Sequence, residues 1–171
     1  REINPINYYG ITKLKAEEEF LKINSANLRL AFLGRSTDNQ KGFVDWLINS
    51  QIQEKEINLW NNIYSTPISI KDALDSIFIA MKLKLNGIFN VGSSEEFTKY
   101  NFGIGLLKKL DISALHIKKI NYIDSNNNPK RPLRMSMNSS KFTSYTGWKQ
   151  PDLSTTIENV AKDYLNEDWF N

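Results

Sequence analysis

Two side chains near the start of the chain have the types and spacing to do chemistry on a carbonyl. In Tyr9-Gly10-Ile11-Thr12-Lys13 a phenol and an ammonium stand four residues apart. On a helix that spacing puts both on one face, where they can reach one ligand. A tyrosine titrates near ~10, too high for ready proton transfer at neutral pH, and a neighbouring ammonium lowers that value by favouring the phenolate. Such a phenol can protonate a carbonyl oxygen while hydride arrives from a nicotinamide, and the ammonium can hold the ribose hydroxyls. The spacing alone is a weak signal, because a solvated amphipathic helix carries the same residues.

Few other chemistries compete. The chain has no cysteine and one histidine, so disulfides, thiolate centres and multi-histidine clusters are excluded and no metal site is expected. His116, within Leu115-His116-Ile117, is expected to be structural. Glu17, Glu18 and Glu19 read as a solvated helix face, since a carboxylate acid catalyst needs an apolar pocket that nothing here suggests. Gly103-Ile104-Gly105 has Lys108 where a dinucleotide-binding loop needs its third glycine, and no strand precedes it, so packing is its expected role. Trp46, Trp60, Trp148 and Trp169 are expected in the core. Arg131, in the loop sequence Lys130-Arg131-Pro132, fits either an anionic ligand or solvent; Lys130 and Arg134 are expected to face solvent.

Composition narrows the class. In 171 residues, 40% are apolar and 24% charged, as in an ordinary globular chain. Net charge is +3, from 22 basic and 19 acidic side chains. The densest basic stretch, Lys118, Lys119, Lys130, Arg131 and Arg134, has only Tyr122 as an interleaved aromatic. A nucleic-acid groove needs more stacking surface, so a phosphate-bearing small ligand is the better match. No apolar run is long enough to span a bilayer and no signal peptide opens the chain, which leads to a cytoplasmic expectation without membrane partners.

The elements that must position Tyr9 and Lys13 read as alternating helices and strands. Tyr8 to Ile23 is a predicted helix with an apolar stripe at Leu14, Phe20 and Leu21. Asn27 to Leu33 is a short apolar run read as a buried strand. Helices are predicted over Phe43 to Gln53, Ile70 to Leu83, Phe97 to Leu110 and Leu153 to Trp169. Ala73, Leu74, Ile77, Phe78 and Met81 fall at helical spacing in the second of these. Strands are predicted over Glu56 to Trp60, Gly87 to Gly92 and Ile117 to Ile123, with a turn at Tyr64 to Pro67 and a polar loop at Asp124 to Pro132. Such alternation implies an α/β fold with parallel pairing.

Context strengthens the Tyr-x-x-x-Lys pair. It follows Pro5-Ile6-Asn7, contains Gly10, and leads through Ala16-Glu17 into Leu28-Arg29-Leu30 and Gly34. This string resembles the catalytic segment of the extended short-chain dehydrogenase/reductases. Phe43-Val44-Asp45-Trp46, Glu56 to Trp60, Thr66-Pro67-Ile68, Gly87 to Gly92, Lys130-Arg131-Pro132, Ser140-Lys141 and Gly147 then follow in the order of the dTDP-4-dehydrorhamnose reductase family. The resemblance covers nearly the whole chain.

It implies the C-terminal part of a Rossmann-like reductase. Residues 1–40 would be a remnant of the dinucleotide-binding domain, and 41–171 mainly the sugar-nucleotide domain. It implies Tyr9 as proton donor, Lys13 as its ribose-binding partner, and Ala31, Phe32 and Leu33 beside the nicotinamide of NADP or NAD. Phe32 stands about where the rhamnose-forming enzymes have tryptophan near the sugar, and Arg131 is implied to meet the substrate diphosphate. The expected reaction is reduction of a 4-keto-6-deoxy nucleotide sugar, with room for a homodimer. The alternatives are an epimerase or dehydratase of the same superfamily, or a noncatalytic reductase-like binding or regulatory subunit. Because the chain opens on Arg1 and has no glycine-rich loop, sequence is expected upstream, and this stretch alone is expected to be inactive.

Overall fold

The computed structural model describes residues 4–36, 42–124 and 131–166. Lys130, Trp169 and the middle of the Asp124 to Pro132 loop lie outside the described residues. In chain order the elements are α1 (Tyr8–Leu21), β1 (Ala26–Leu30), β2 (Phe32–Leu33), α2 (Phe43–Ile52), β3 (Ile57–Trp60), β4 (Tyr64–Ser65), β5 (Ile68–Ser69) and α3 (Ile70–Lys82). They continue with β6 (Gly87–Val91), α4 (Lys99–Lys109), β7 (Ile117–Ile120), β8 (Arg134–Met135), α5 (Ser140–Thr146) and α6 (Leu153–Leu165).

The fold is α/β, and β1–β6, β2–β5, β3–β7 and β4–β8 all pair in parallel. Helix starts follow local chemistry. Asn7, Ser69, Thr98 and Asp152 each present a side-chain oxygen to an otherwise orphaned backbone N–H of α1, α3, α4 and α6.

Two apolar clusters hold the elements together. One gathers Val44, Leu47 and Ile48 of α2, Leu59 of β3, Phe102, Leu106 and Leu107 of α4, and Val160 of α6. The other joins Ile68, Ala73 and Ala80 to Phe89, Val91, Phe142 and Trp148, with Leu28 and Leu30 of β1 against it. Gly103 lets α4 sit close on the first cluster: a Cβ there would lie 2.9 Å from Leu59 Cδ1 and 3.3 Å from Leu47 Cδ2. The Gly103-Ile104-Gly105 segment is therefore packing surface inside a helix.

Several expectations need correction. The Asn27 to Leu33 strand is two strands broken at Ala31, and its residues are half-buried or exposed rather than buried. Tyr64 and Ser65 form β4 rather than a turn, because Arg134 and Met135 come back to pair with them from far along the chain. Of Ala73, Leu74, Ile77, Phe78 and Met81, which fall at helical spacing in α3, only Ala73 is buried. Leu74 and Ile77 are each 39% exposed, Phe78 63% and Met81 66%. Trp148 is buried as expected, whereas Trp46 is exposed and Trp60 half-buried.

Candidate active site

Tyr9 sits in the first turn of α1, and the turn before it fixes its place. Asn7 Oδ1 accepts from the Gly10 N–H at 2.9 Å. Pro5 packs so close that a Cβ on Gly10 would lie 2.9 Å from its own Cβ, so only glycine fits without a shift. One turn further on, the Lys13 Nζ stands 5.5 Å from the centroid of the Tyr9 ring. The phenol and ammonium share one face, open to solvent, with Tyr9 70% exposed.

A third residue on that face was misread from sequence. Glu17, one further turn along, is not part of a solvated stripe. Its carboxylate accepts from Arg29 Nε at 2.6 Å and Nη2 at 2.5 Å, with the Glu17 side chain 16% exposed. Two-pronged guanidinium–carboxylate geometry fixes orientation as well as distance. The pair ties α1 to β1. Arg29 is held above its ordinary value by its hydrogen bonds to Glu17, against a smaller opposing effect of burial. No sequence-local signal pointed to the pair, because the partners are twelve residues apart in different elements.

Strand alternation does the rest. Asn27, Arg29 and Ala31 turn towards α1, while Ala26, Leu28 and Leu30 line a groove against α3. Tyr9, Lys13, Glu17, Asn27, Ala31 and Met135 enclose a cleft of about 510 Å³. Ala31 also belongs to a second, apolar cleft of about 260 Å³, walled by Phe32, Leu33, Phe43, Pro67, Phe97 and Phe102. That cleft shares Phe43 and Lys99 with a third, of about 380 Å³, lined by Trp46, Asn58 and Trp60. Arg131 is not among the lining residues but lies nearby, its guanidinium carbon 5.4 Å from the Trp60 ring.

The structure thus strings Tyr9, Lys13, Ala31, Phe32 and Leu33 along adjoining clefts, with Arg131 at the opposite end. Phe32 is 59% exposed. Lys99 and Trp60 line the passage too, though neither was picked out as a ligand residue. Lys99 looks like any helical lysine, and Trp60 ends a strand as a core residue would. Their neighbours arrive from α2 and the Arg131 loop, which no local spacing reveals.

Asn27 Nδ2 is buried in the wall of the Tyr9 cleft without a hydrogen-bond partner. A buried donor of this kind calls for an acceptor. No glycine-rich turn for a pyrophosphate stands among the described residues. Nor is any helix there long and apolar enough to cross a membrane.

Residues 1–166 match the family model described as the RmlD substrate binding domain. No curated protein matches the chain by sequence. Among solved structures, a dTDP-4-dehydrorhamnose reductase from Bacillus anthracis in complex with NADP is similar with a TM-score of 0.81 and 15% identity, over 94% of this chain and 57% of that one. A hypothetical dTDP-4-dehydrorhamnose reductase from Sulfolobus tokodaii matches with 0.72 and 24%, over 91% and 55%. A UDP-glucuronic acid 4-epimerase from Bacillus cereus matches with 0.73 and 18%, over 94% and 53%. At these identities the likeness is one of fold, and the chain spans a little over half the length of each structure.

Proposed function

Because this chain belongs to the RmlD substrate-binding domain family, we propose that it carries the proton donor and sugar-nucleotide site of a reductase. The reaction is NAD(P)H-dependent reduction of a 4-keto-6-deoxy nucleotide sugar. Residues 1–40 would be a remnant of the dinucleotide-binding domain, and 41–171 mainly the sugar-nucleotide domain. The observation that carries the reading is the run of three clefts, joined at Ala31 and again at Phe43 and Lys99. It leads from the Tyr9 phenol to the aromatic wall at Trp60. A nucleotide sugar has the same order of parts: reacting carbonyl, sugar ring, diphosphate, base.

When bound, a nicotinamide cofactor supplies hydride to the C4 carbon, and NADP and NAD both remain within the proposal. The chain's own residues supply the rest. The Tyr9 Oη–H bond breaks as its proton passes to the C4 oxygen, leaving an alcohol and a phenolate. Lys13, on the same helical face, stabilises that phenolate and offers N–H donors to ribose hydroxyls. Solvent then reprotonates Tyr9 through its open side. Phe32, Phe97 and Phe102 give the sugar a largely apolar enclosure, where a 6-deoxy methyl group needs no hydrogen bond.

The test uses the intact protein, a 4-keto-6-deoxy dTDP-sugar, and loss of NADPH or NADH absorbance. Tyr9→Phe is expected to lower kcat by about a hundredfold or more while substrate binding stays within about twofold. Turnover that survives the substitution refutes the assignment. A product epimerised without net consumption of reduced cofactor identifies an epimerase instead.

A further inference from the structure

One extended segment, Arg131 to Met137, runs from the third cleft to the first. Arg131 stands beside Trp60, its guanidinium carbon 5.4 Å from that ring, and Met135 and Met137 line the cleft that holds Tyr9 and Lys13. Little main-chain pairing keeps the segment there. The Leu133 carbonyl accepts from the Tyr64 N–H at 2.8 Å, and Arg134 and Met135 pair with Tyr64 and Ser65 over the length of β8. The Met137 N–H then donates to Thr66 Oγ1 at 3.1 Å. A ladder this short specifies its own register weakly.

Side-chain alternation along the segment supplies what the ladder lacks. Met135 and Met137 turn to the Tyr9 cleft. Arg134 and Ser136, at the alternate positions, turn to a single carboxylate. Arg134 Nε donates to Glu96 Oε1 at 3.0 Å and to Oε2 at 2.9 Å, Arg134 Nη2 donates to Oε1, and the Ser136 hydroxyl donates to Oε2. Glu96 is itself anchored through its neighbour. Phe97 exchanges backbone hydrogen bonds with Ser65, at 2.9 and 3.1 Å, and walls the apolar cleft.

As a stabilising contact this cluster is poorly placed. The Arg134 side chain is 72% exposed and that of Glu96 27%, and ion pairs so open to water contribute little to folding. What the cluster does supply is geometry. Contact between a guanidinium and both carboxylate oxygens fixes direction as well as distance, and the Ser136 hydroxyl adds a second attachment two residues on. The Arg134 hydrogen bonds, and after them that of Ser136, hold the Glu96 carboxyl below its ordinary range, so it stays charged at neutral pH. Methionine side chains are unbranched and adaptable. Two of them make a wall of defined shape only where their backbone is held.

We propose that Glu96 is a positioning residue, which through Arg134 and Ser136 fastens the 131–137 segment so that Met135 and Met137 form one side of the Tyr9 cleft. The effect on turnover rests on the nucleotide-sugar reductase reading, while the fastening rests on the contacts alone. Glu96 acts on substrate only through that wall, by setting the width of the cleft in which the keto group meets Tyr9.

The experiment follows the methionine methyl signals of the intact protein by carbon-13 NMR, beside its steady-state kinetics with the 4-keto-6-deoxy dTDP-sugar. Met81, Met135 and Met137 are the three methionines of the chain. Each is assigned by substitution with leucine, and Met81, on α3, serves as the internal reference. Variants are Glu96→Gln, Arg134→Gln, the two combined, and Arg134→Lys. In Glu96→Gln the Met135 and Met137 signals are expected to move and sharpen while Met81 stays in place, and the melting temperature should change by less than about 2 °C. KM should rise by about tenfold, with kcat within about threefold of the parent. The double variant should be no worse than the poorer single one, since both remove one contact. Arg134→Lys, which keeps the charge but not the two-pronged contact, should recover part of the loss in KM.

Unchanged Met135 and Met137 signals in Glu96→Gln would overturn the proposal. So would movement of all three signals with a lowered melting temperature, which is general loosening, or a loss confined to kcat. Should the parent protein turn over no keto-sugar while Met135 and Met137 alone respond to Glu96→Gln, the fastening stands and the reductase reading falls.

Discussion

Glu17 and Arg29 do for α1 what a covalent cross-link would do, at a much smaller free energy. The carboxylate is largely withdrawn from water and the guanidinium about one-third exposed, so removing one partner strands the other in a partly apolar wall. Arg29→Met is expected to destabilise the protein by about 1–3 kcal/mol, between the values for surface and buried pairs, as measured by thermal denaturation. Glu17→Gln should cost less, because one hydrogen bond to the guanidinium survives. Lys99 behaves in the opposite sense. Its folded pKa is lowered, first by desolvation and then by Arg131, so its charged form penalises the fold below that pKa. The penalty disappears as pH rises through it. Lys99→Met should therefore melt no lower than the parent at neutral pH, and any gain should vanish in alkaline solution. At this scale Tyr9 and Lys13 were legible because their relation is a single helical turn. Glu17 and Lys99 were not, since their environments are assembled from distant segments.

Among the elements, the long amphipathic helices were readable, because periodicity, caps and breakers lie within each segment. The Ser69, Thr98 and Asp152 oxygens that start α3, α4 and α6 are of this local kind. Two-residue strands such as β4, β5 and β8 have no periodicity to detect and exist only through their partners. The cap of α6 gives a pH prediction. The backbone N–H of Thr155, at 2.7 Å, holds the Asp152 carboxyl below its ordinary range. Its contribution is full above the unfolded pKa and is lost as pH falls through the folded one. Asp152→Asn should retain a cap but flatten this part of the acid melting profile. The α4 glycines give another. Gly103→Leu is expected to cost about 2 kcal/mol or more in stability by forcing Leu59 and Leu47 aside, as read by denaturant titration. A cofactor loop at that position would show its damage in binding instead.

Across the whole molecule, the largest gap between sequence and structure is the apolar face of α3. Helical spacing put Leu74, Ile77, Phe78 and Met81 on one face of a helix, and the periodicity is real, yet they form an exposed ridge beside the groove under β1. Periodicity reports that a face is apolar but carries no information on what covers it. Contiguous exposed apolar surface of this kind binds hydrophobic dyes and promotes association. The 171-residue chain on its own is expected to enhance fluorescence of such a dye, and Phe78→Lys with Met81→Lys should remove much of that signal without lowering helix content. An unchanged signal would locate the sticky surface elsewhere. The α/β class and parallel pairing, by contrast, followed from the order of elements alone.

Ala31, where the β1 ladder breaks before β2, has a consequence for selectivity. Its carbonyl accepts from the Ile68 N–H at 3.0 Å, which anchors the backbone, while the residue borders two clefts at once. A valine there would narrow the doorway from both rooms without touching a proton donor or a charged group. If the chain acts as proposed, catalytic competence and substrate girth can drift separately, with one side chain acting as the gauge.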